Sequence, residues 1–140
     1  MADNHSMITY FISGHIDLEE EEFEKYYRQK IDTALDDGAS FVVGDARGAD
    51  SMAQQYLKQK TEKVTVYHMY EKPLHNYGNF SVCGGFKSHS QKDAAMTKIS
   101  TKDIAWIRSP DTMKRMLGDK YDLKRKSGTE RNLLRRKKQS

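Results

Sequence analysis

Phe41-Val42-Val43-Gly44-Asp45-Ala46-Arg47-Gly48-Ala49-Asp50 joins a short apolar run to a glycine-bearing loop and then to the start of a helical pattern. Three uniformly apolar residues do not suit a half-exposed strand; they suit a central strand of a parallel sheet. The two glycines permit a tight turn. Met52, Ala53, Tyr56 and Leu57 then recur at helical spacing within a helix expected from Asp50 to Lys60. Strand, glycine loop and helix in that order form the unit from which covered parallel sheets are built.

The same unit recurs on either side. Thr9-Tyr10-Phe11-Ile12 reads as a strand that stops at Ser13-Gly14. Asp17 is expected to open a helix with Glu20 as its capping-box partner. Phe23, Tyr27, Ile31, Ala34 and Leu35 supply one apolar face, and Gly38 supplies the stop. Val64 to Tyr67 is the third strand. Glu71 to Lys87, with Pro73, Gly78, Gly84 and Gly85, reads as a long irregular loop of the kind that serves a site. Ser88 to Ile99 is helical, and Ile104 to Ile107 is the fourth strand. A charged segment of unassigned structure follows Pro110, and Ser127-Gly128-Thr129 opens a last helix. The order predicts an α/β, Rossmann-like three-layer αβα sandwich with a mainly parallel sheet. Right-handed crossovers place the strand-to-helix loops on one rim, where such sheets bind ligands.

With 140 residues, the chain has room for one domain, expected over 8–134, between a disordered 1–7 and a basic tail at 135–140. No run approaches the roughly 18 apolar residues of a spanning helix, and Met1 to Met7 lacks a secretion signal. A cytoplasmic protein without membrane partners is expected. Cys83 is the single cysteine, which excludes an intramolecular disulfide. The five histidines lack ligand spacing, so no metal site is expected. Met113 to Ser140 holds 11 basic and 3 acidic residues, whereas the rest of the chain holds 13 and 17. The basic character is therefore C-terminal, and nucleic acid is a possible partner there.

Three loops carry the candidate site: Ser13-Gly14-His15, Gly44 to Asp50, and Ser127-Gly128-Thr129-Glu130-Arg131-Asn132. Each sets glycine beside a helix N-terminus, where unpaired N–H groups favour anions such as phosphate. Arg47 has the planar fork that suits two phosphate oxygens. Asp50 either caps its own helix or faces the ligand. Thr129 either caps the last helix or bonds a phosphate. His15 either donates to an anion or is a solvated loop histidine.

Phe11 to Gly14, Val42 to Asp50, Lys92 to Met96, Asp103 to Ile107 and Ser127 to Thr129, in that order, resemble the SLOG superfamily. This group includes the LOG phosphoribohydrolases, DprA-like proteins and the YspA/YpsA-like branch. Gly44 to Asp50 is close to the GGARGAD signature of that last branch. The resemblance spans Thr9 to Leu134 and implies a Rossmann-like fold, a nucleotide or nucleotide-derived ligand, and a homo-oligomer; no further cofactor is implied. The phosphoribohydrolases carry Pro-Gly-Gly-x-Gly-Thr-x-x-Glu, whose Glu acts in N-glycosidic cleavage. Here Asn132 stands at the position of that Glu, and Glu130 lies two residues away, about 200° around a helix.

Three functions compete on these residues. The first is a nucleotide-binding module that senses or carries its ligand, built from Ser13, Gly14, His15, Gly44, Arg47, Gly48, Asp50, Ser127, Gly128, Thr129 and Asn132. The second is a nucleotide N-glycosidase with Glu130 or Asp45 as the acidic group. The third is a nucleic-acid-associated protein that uses the basic C-terminus.

Overall fold

The computed structural model describes residues 8–122 and 126–139; the expected disorder of 1–7 concerns residues outside that range. Thr9–Ser13 forms β1, Ser40–Val43 β2, Val64–Met69 β3, Ser81–Phe86 β4 and Lys102–Ala105 β5. The strands pair in the order β4-β3-β2-β1-β5, and every pairing is parallel. Helices α1 (Glu20–Tyr26), α2 (Arg28–Asp36), α3 (Ala49–Leu57), α4 (His89–Ile99), α5 (Pro110–Leu117) and α6 (Gly128–Gln139) complete the chain.

Strand alternation sorts the core into two layers. Ile12, Phe41, Val43, Val64, Val66 and Ile104 pack against Phe23, Tyr27, Ile31, Ala34, Ala53 and Leu57, so α1, α2 and α3 cover one face. Phe11, Val42 and Tyr67 point the other way and meet Met96 of α4. On that side α6 also anchors to the sheet, through Arg136 and Asp103 of β5. The three-layer sandwich is therefore present.

Several expected boundaries move. The irregular stretch at 71–87 contains a fifth strand, β4, at the sheet edge. Ser81-Val82-Cys83-Gly84-Gly85-Phe86 lacks the β-branched density of a central strand, and its pairing shifts register beside Tyr67 and Met69. Gly84 is there for a close approach, because a side chain would collide with the His68 ring. Asp17 does not open α1. Glu19 is the N-cap and forms the capping box with Glu22, two residues later than the expected Asp17–Glu20 pair. Asp17 instead binds Arg108. The single helix expected from Asp17 breaks at Tyr27 into α1 and α2, although Phe23, Tyr27 and Ile31 still share a face. β5 ends at Ala105 rather than Ile107, and α3 ends at Leu57 rather than Lys60. The charged segment after Pro110 forms α5, which Ser109 caps.

The tail expected at 135–140 is structured as far as Gln139. Arg136 donates to both Asp103 carboxylate oxygens, to the Ser100 hydroxyl, and to the Thr97 and Ser100 carbonyls. These bonds make it an anchor of α6, in place of a solvated cation.

Candidate functional site at the carboxyl rim

The chain leaves β1 in one direction across the sheet and returns from β4 to β5 on the other side of β1. That arrangement makes the carboxyl ends of β1 and β5 a topological switch point, where ligands usually bind. Here protein occupies the crevice itself. The Tyr27 hydroxyl donates to the Ser13 carbonyl at 2.8 Å and accepts from the Trp106 N–H at 3.1 Å, bridging the two strand ends. Burial pushes that phenol well above its ordinary pKa. His15 is buried, lies edge-on to Trp106, and its Nε2 accepts from the Arg108 N–H at 2.9 Å. A ring that accepts at Nε2 is neutral. Burial first, and Arg108 second, hold its pKa below 6.5. The buried Arg108 guanidinium donates to both Glu22 oxygens and to Asp17.

Two expected glycine cradles are filled from within. A side chain at Gly14 would strike the Tyr27 hydroxyl and Ala49. One at Gly48, whose φ is +74°, would strike the His15 and Ile16 backbone. The Ala49 N–H, at the start of α3, donates to the His15 carbonyl at 3.0 Å. These glycines zip the first loop to the second. Arg47 is exposed and makes no ion pair or hydrogen bond among the described residues.

The second loop instead carries a charge cluster. Asp45 is buried; its Oδ2 accepts from the Leu74 N–H at 2.8 Å, and its Oδ1 lies 3.6 Å from the buried Lys92 Nζ. Asp50 caps the loop by accepting from the Ala46 N–H at 3.1 Å. Its carboxyl lies over Gly44, where a Cβ would stand 2.6 Å from Oδ2 and 3.4 Å from Lys92 Nζ. Burial outweighs that hydrogen bond and Lys92, and raises the Asp50 pKa to about 7. Burial likewise raises the Asp93 pKa, against Lys92, Arg135 and a hydrogen bond from Asn132.

The start of α6 closes the arrangement. Ser127 and Glu130 form a reciprocal capping box: the Ser127 hydroxyl accepts from the Glu130 N–H, and a Glu130 oxygen accepts from the Ser127 N–H. Gly128 is exposed, and the nearest atom to an added Cβ is Asp93 Oδ2 at 3.9 Å. Among the described residues, the N–H groups of Gly128 and Thr129 have no hydrogen-bond partner. Thr129 and Asn132 turn inward with Arg136, and the Asn132 oxygen accepts from Arg135 at 2.7 Å. Ser13, in β1, shares a strand face with Phe11, on the side that α4 and α6 cover. Its hydroxyl is the one buried side-chain polar atom among the described residues that has no hydrogen-bond partner.

The rim therefore brings Ser13, His15, Gly44, Asp45, Asp50, Gly128, Thr129, Glu130 and Asn132 into one neighbourhood, with Gly14 and Gly48 packed beneath it. Sequence reasoning missed Lys92, Asp93 and Arg108. A lone cation in a polar helix and another after a strand carry no pattern that marks them as buried. No cluster of metal-ligating side chains occurs among the described residues. The chain matches no family model, no curated protein and no solved structure.

Proposed function

We propose that this protein binds a nucleotide or nucleotide-derived ligand at the rim between Ser13, α3, α4 and the start of α6, as a sensing or carrier module. The unpartnered Ser13 hydroxyl carries the reading. A buried hydroxyl without a partner costs about 1–3 kcal/mol, and a ligand oxygen would satisfy it. The two open N–H groups of α6 suit a phosphate, and the exposed Arg47, in the loop between β2 and α3, is free to pair with one. Asp50 and Asp93, whose proton affinities are raised, suit ribose hydroxyls, since either can accept or donate. Calorimetry with a panel of nucleoside mono-, di- and triphosphates tests the reading. Binding is expected to weaken at least about tenfold in Ser13→Ala, a loss of ~1.4 kcal/mol, and also in Arg47→Ala. Absence of binding across the panel, or equal affinity in both variants, refutes it.

A second reading, N-glycosidic cleavage, draws on Asp50. Of the acids expected to act, Glu130 caps α6 and Asp45 pairs with Lys92. Asp50 is the carboxyl poised near neutrality, where a general acid works best. Asn132 supplies no carboxylate, so release of free base from ordinary nucleoside monophosphates is expected to be weak or absent. Chromatography of incubated nucleotides decides between the readings. Robust release that Asp50→Asn abolishes makes the protein an enzyme.

A further inference from the structure

The sheet divides the helices by charge. On one side, α1, α2 and α3 carry three Lys or Arg against seven Asp or Glu. On the other, α4 and α6 carry seven Lys or Arg against two carboxylates, Asp93 and Glu130. Neither of those two carboxylates is exposed. Asp93 sits against Asn132, and Glu130 is turned back to cap Ser127. Lys98 of α4 and Arg131 and Lys138 of α6 are exposed and form no ion pair among the described residues. Arg135 ties the two helices by donating to the Ser90 hydroxyl, and Arg136 fixes α6 to β5. The cations therefore stand on a held surface.

We propose that the outer face of α4 and α6 binds the phosphate backbone of a nucleic-acid duplex, apart from the rim. A face whose exposed charges are all cationic is the electrostatic footprint of phosphate binding. Arg131 and Lys138 stand about 10 Å apart along the helix. A duplex presents a charge about every 1.7 Å of its axis, so the stripe spans several phosphates. The face suits a duplex over a single strand because neither helix contains Phe, Tyr or Trp. Single-strand grooves rely on aromatic platforms for stacking.

The test is fluorescence anisotropy of the full chain with a labelled duplex between roughly 50 and 250 mM salt. Affinity is expected to fall steeply with salt. Arg131→Glu combined with Lys138→Glu is expected to weaken binding at least tenfold and to lower the log–log salt slope by about two. Lys25→Glu combined with Lys30→Glu, on the opposite layer, is expected to change affinity less than about twofold, within what a surface charge far from the contact does. Thermal melts verify folding; if the reversal double does not fold, Arg131→Gln with Lys138→Gln replaces it. No duplex binding at the lowest salt, or equal losses in the two doubles, overturns the proposal. So does tighter binding to a single strand of the same sequence, or binding to anionic vesicles but not to the duplex.

Discussion

Arg108 is nearly inaccessible, and its two carboxylate partners differ: the Glu22 side chain is 19% exposed and that of Asp17 is 61% exposed. Stranding a fully buried partner costs ~3–5 kcal/mol. Asp17 can return to water, so Arg108→Ala is expected to cost about 2–3 kcal/mol, below that range; urea unfolding measures it. The surrounding groups set opposing pH dependences. His15, with its folded pKa lowered, takes up its proton more readily unfolded, so stability falls as pH drops below 6.5. Asp17 and Glu22, also lowered, add to that loss as pH falls below their unfolded values of 3.8 and 4.5 and through their folded ones. Asp50 acts the other way: it holds its proton up to about 7 when folded and only to 3.8 when unfolded, so acidification across that window favours the native state. Asp50→Asn should therefore steepen the fall in melting temperature between pH 7 and pH 5. Parallel profiles for the two proteins would contradict this assignment. The sequence marked Asp50 and His15 as candidates because they flank glycine loops. It did not mark Arg108, because what buries that residue is the approach of α1, a contact 86 residues away in the chain.

At the scale of elements, the 71–80 loop is irregular and yet firmly held. Gln54 of α3 is fully buried; it donates to the Gly44 and His75 carbonyls and accepts from the Tyr77 N–H at 2.9 Å. Gln54→Leu strands those three groups. It is expected to cost about 2–3 kcal/mol and to accelerate amide exchange in residues 74–80. Unchanged exchange there would mean that Asp45 alone, through Leu74, holds the loop. Arg136→Ala is expected to destabilise the whole chain, since α6 loses five bonds to α4, β5 and their junction. A drop of about 2–4 kcal/mol in urea unfolding separates this anchor from a solvated cation, whose loss stays within ~0.5 kcal/mol. Four of the five strands were legible because short apolar runs beside turn residues announce parallel strands. β4 was not, since its two glycines read as loop, and only pairing with β3 makes it a strand. The basic run at 135–138 reads as a tail because charge alone does not disclose that Arg136 faces inward at the spacing of Thr129 and Asn132.

For the whole molecule, the order of strands and loops in the sequence suffices for the architecture, because right-handed crossovers leave few ways to cover both faces of a parallel sheet. The candidate rim was legible only as a set of loops. Which glycines are filled by Tyr27 and which lie open beside α6 depends on contacts that no local spacing encodes. Tyr27 also ties distant parts of the chain. Its hydroxyl completes the join of β1 to β5 by holding Ser13 and Trp106, residues 93 apart. Tyr27→Phe is expected to cost about 1–3 kcal/mol and to expose the Trp106 amide to exchange. A sequence in time follows from that bridge. β5 emerges late in synthesis, and its carboxyl end cannot be latched until the α1–α2 junction already sits on the sheet. The N-terminal half would then act as a template, and closure of β5 would come after the folding transition state. Tyr27→Phe should accordingly speed unfolding while leaving the refolding rate nearly unchanged.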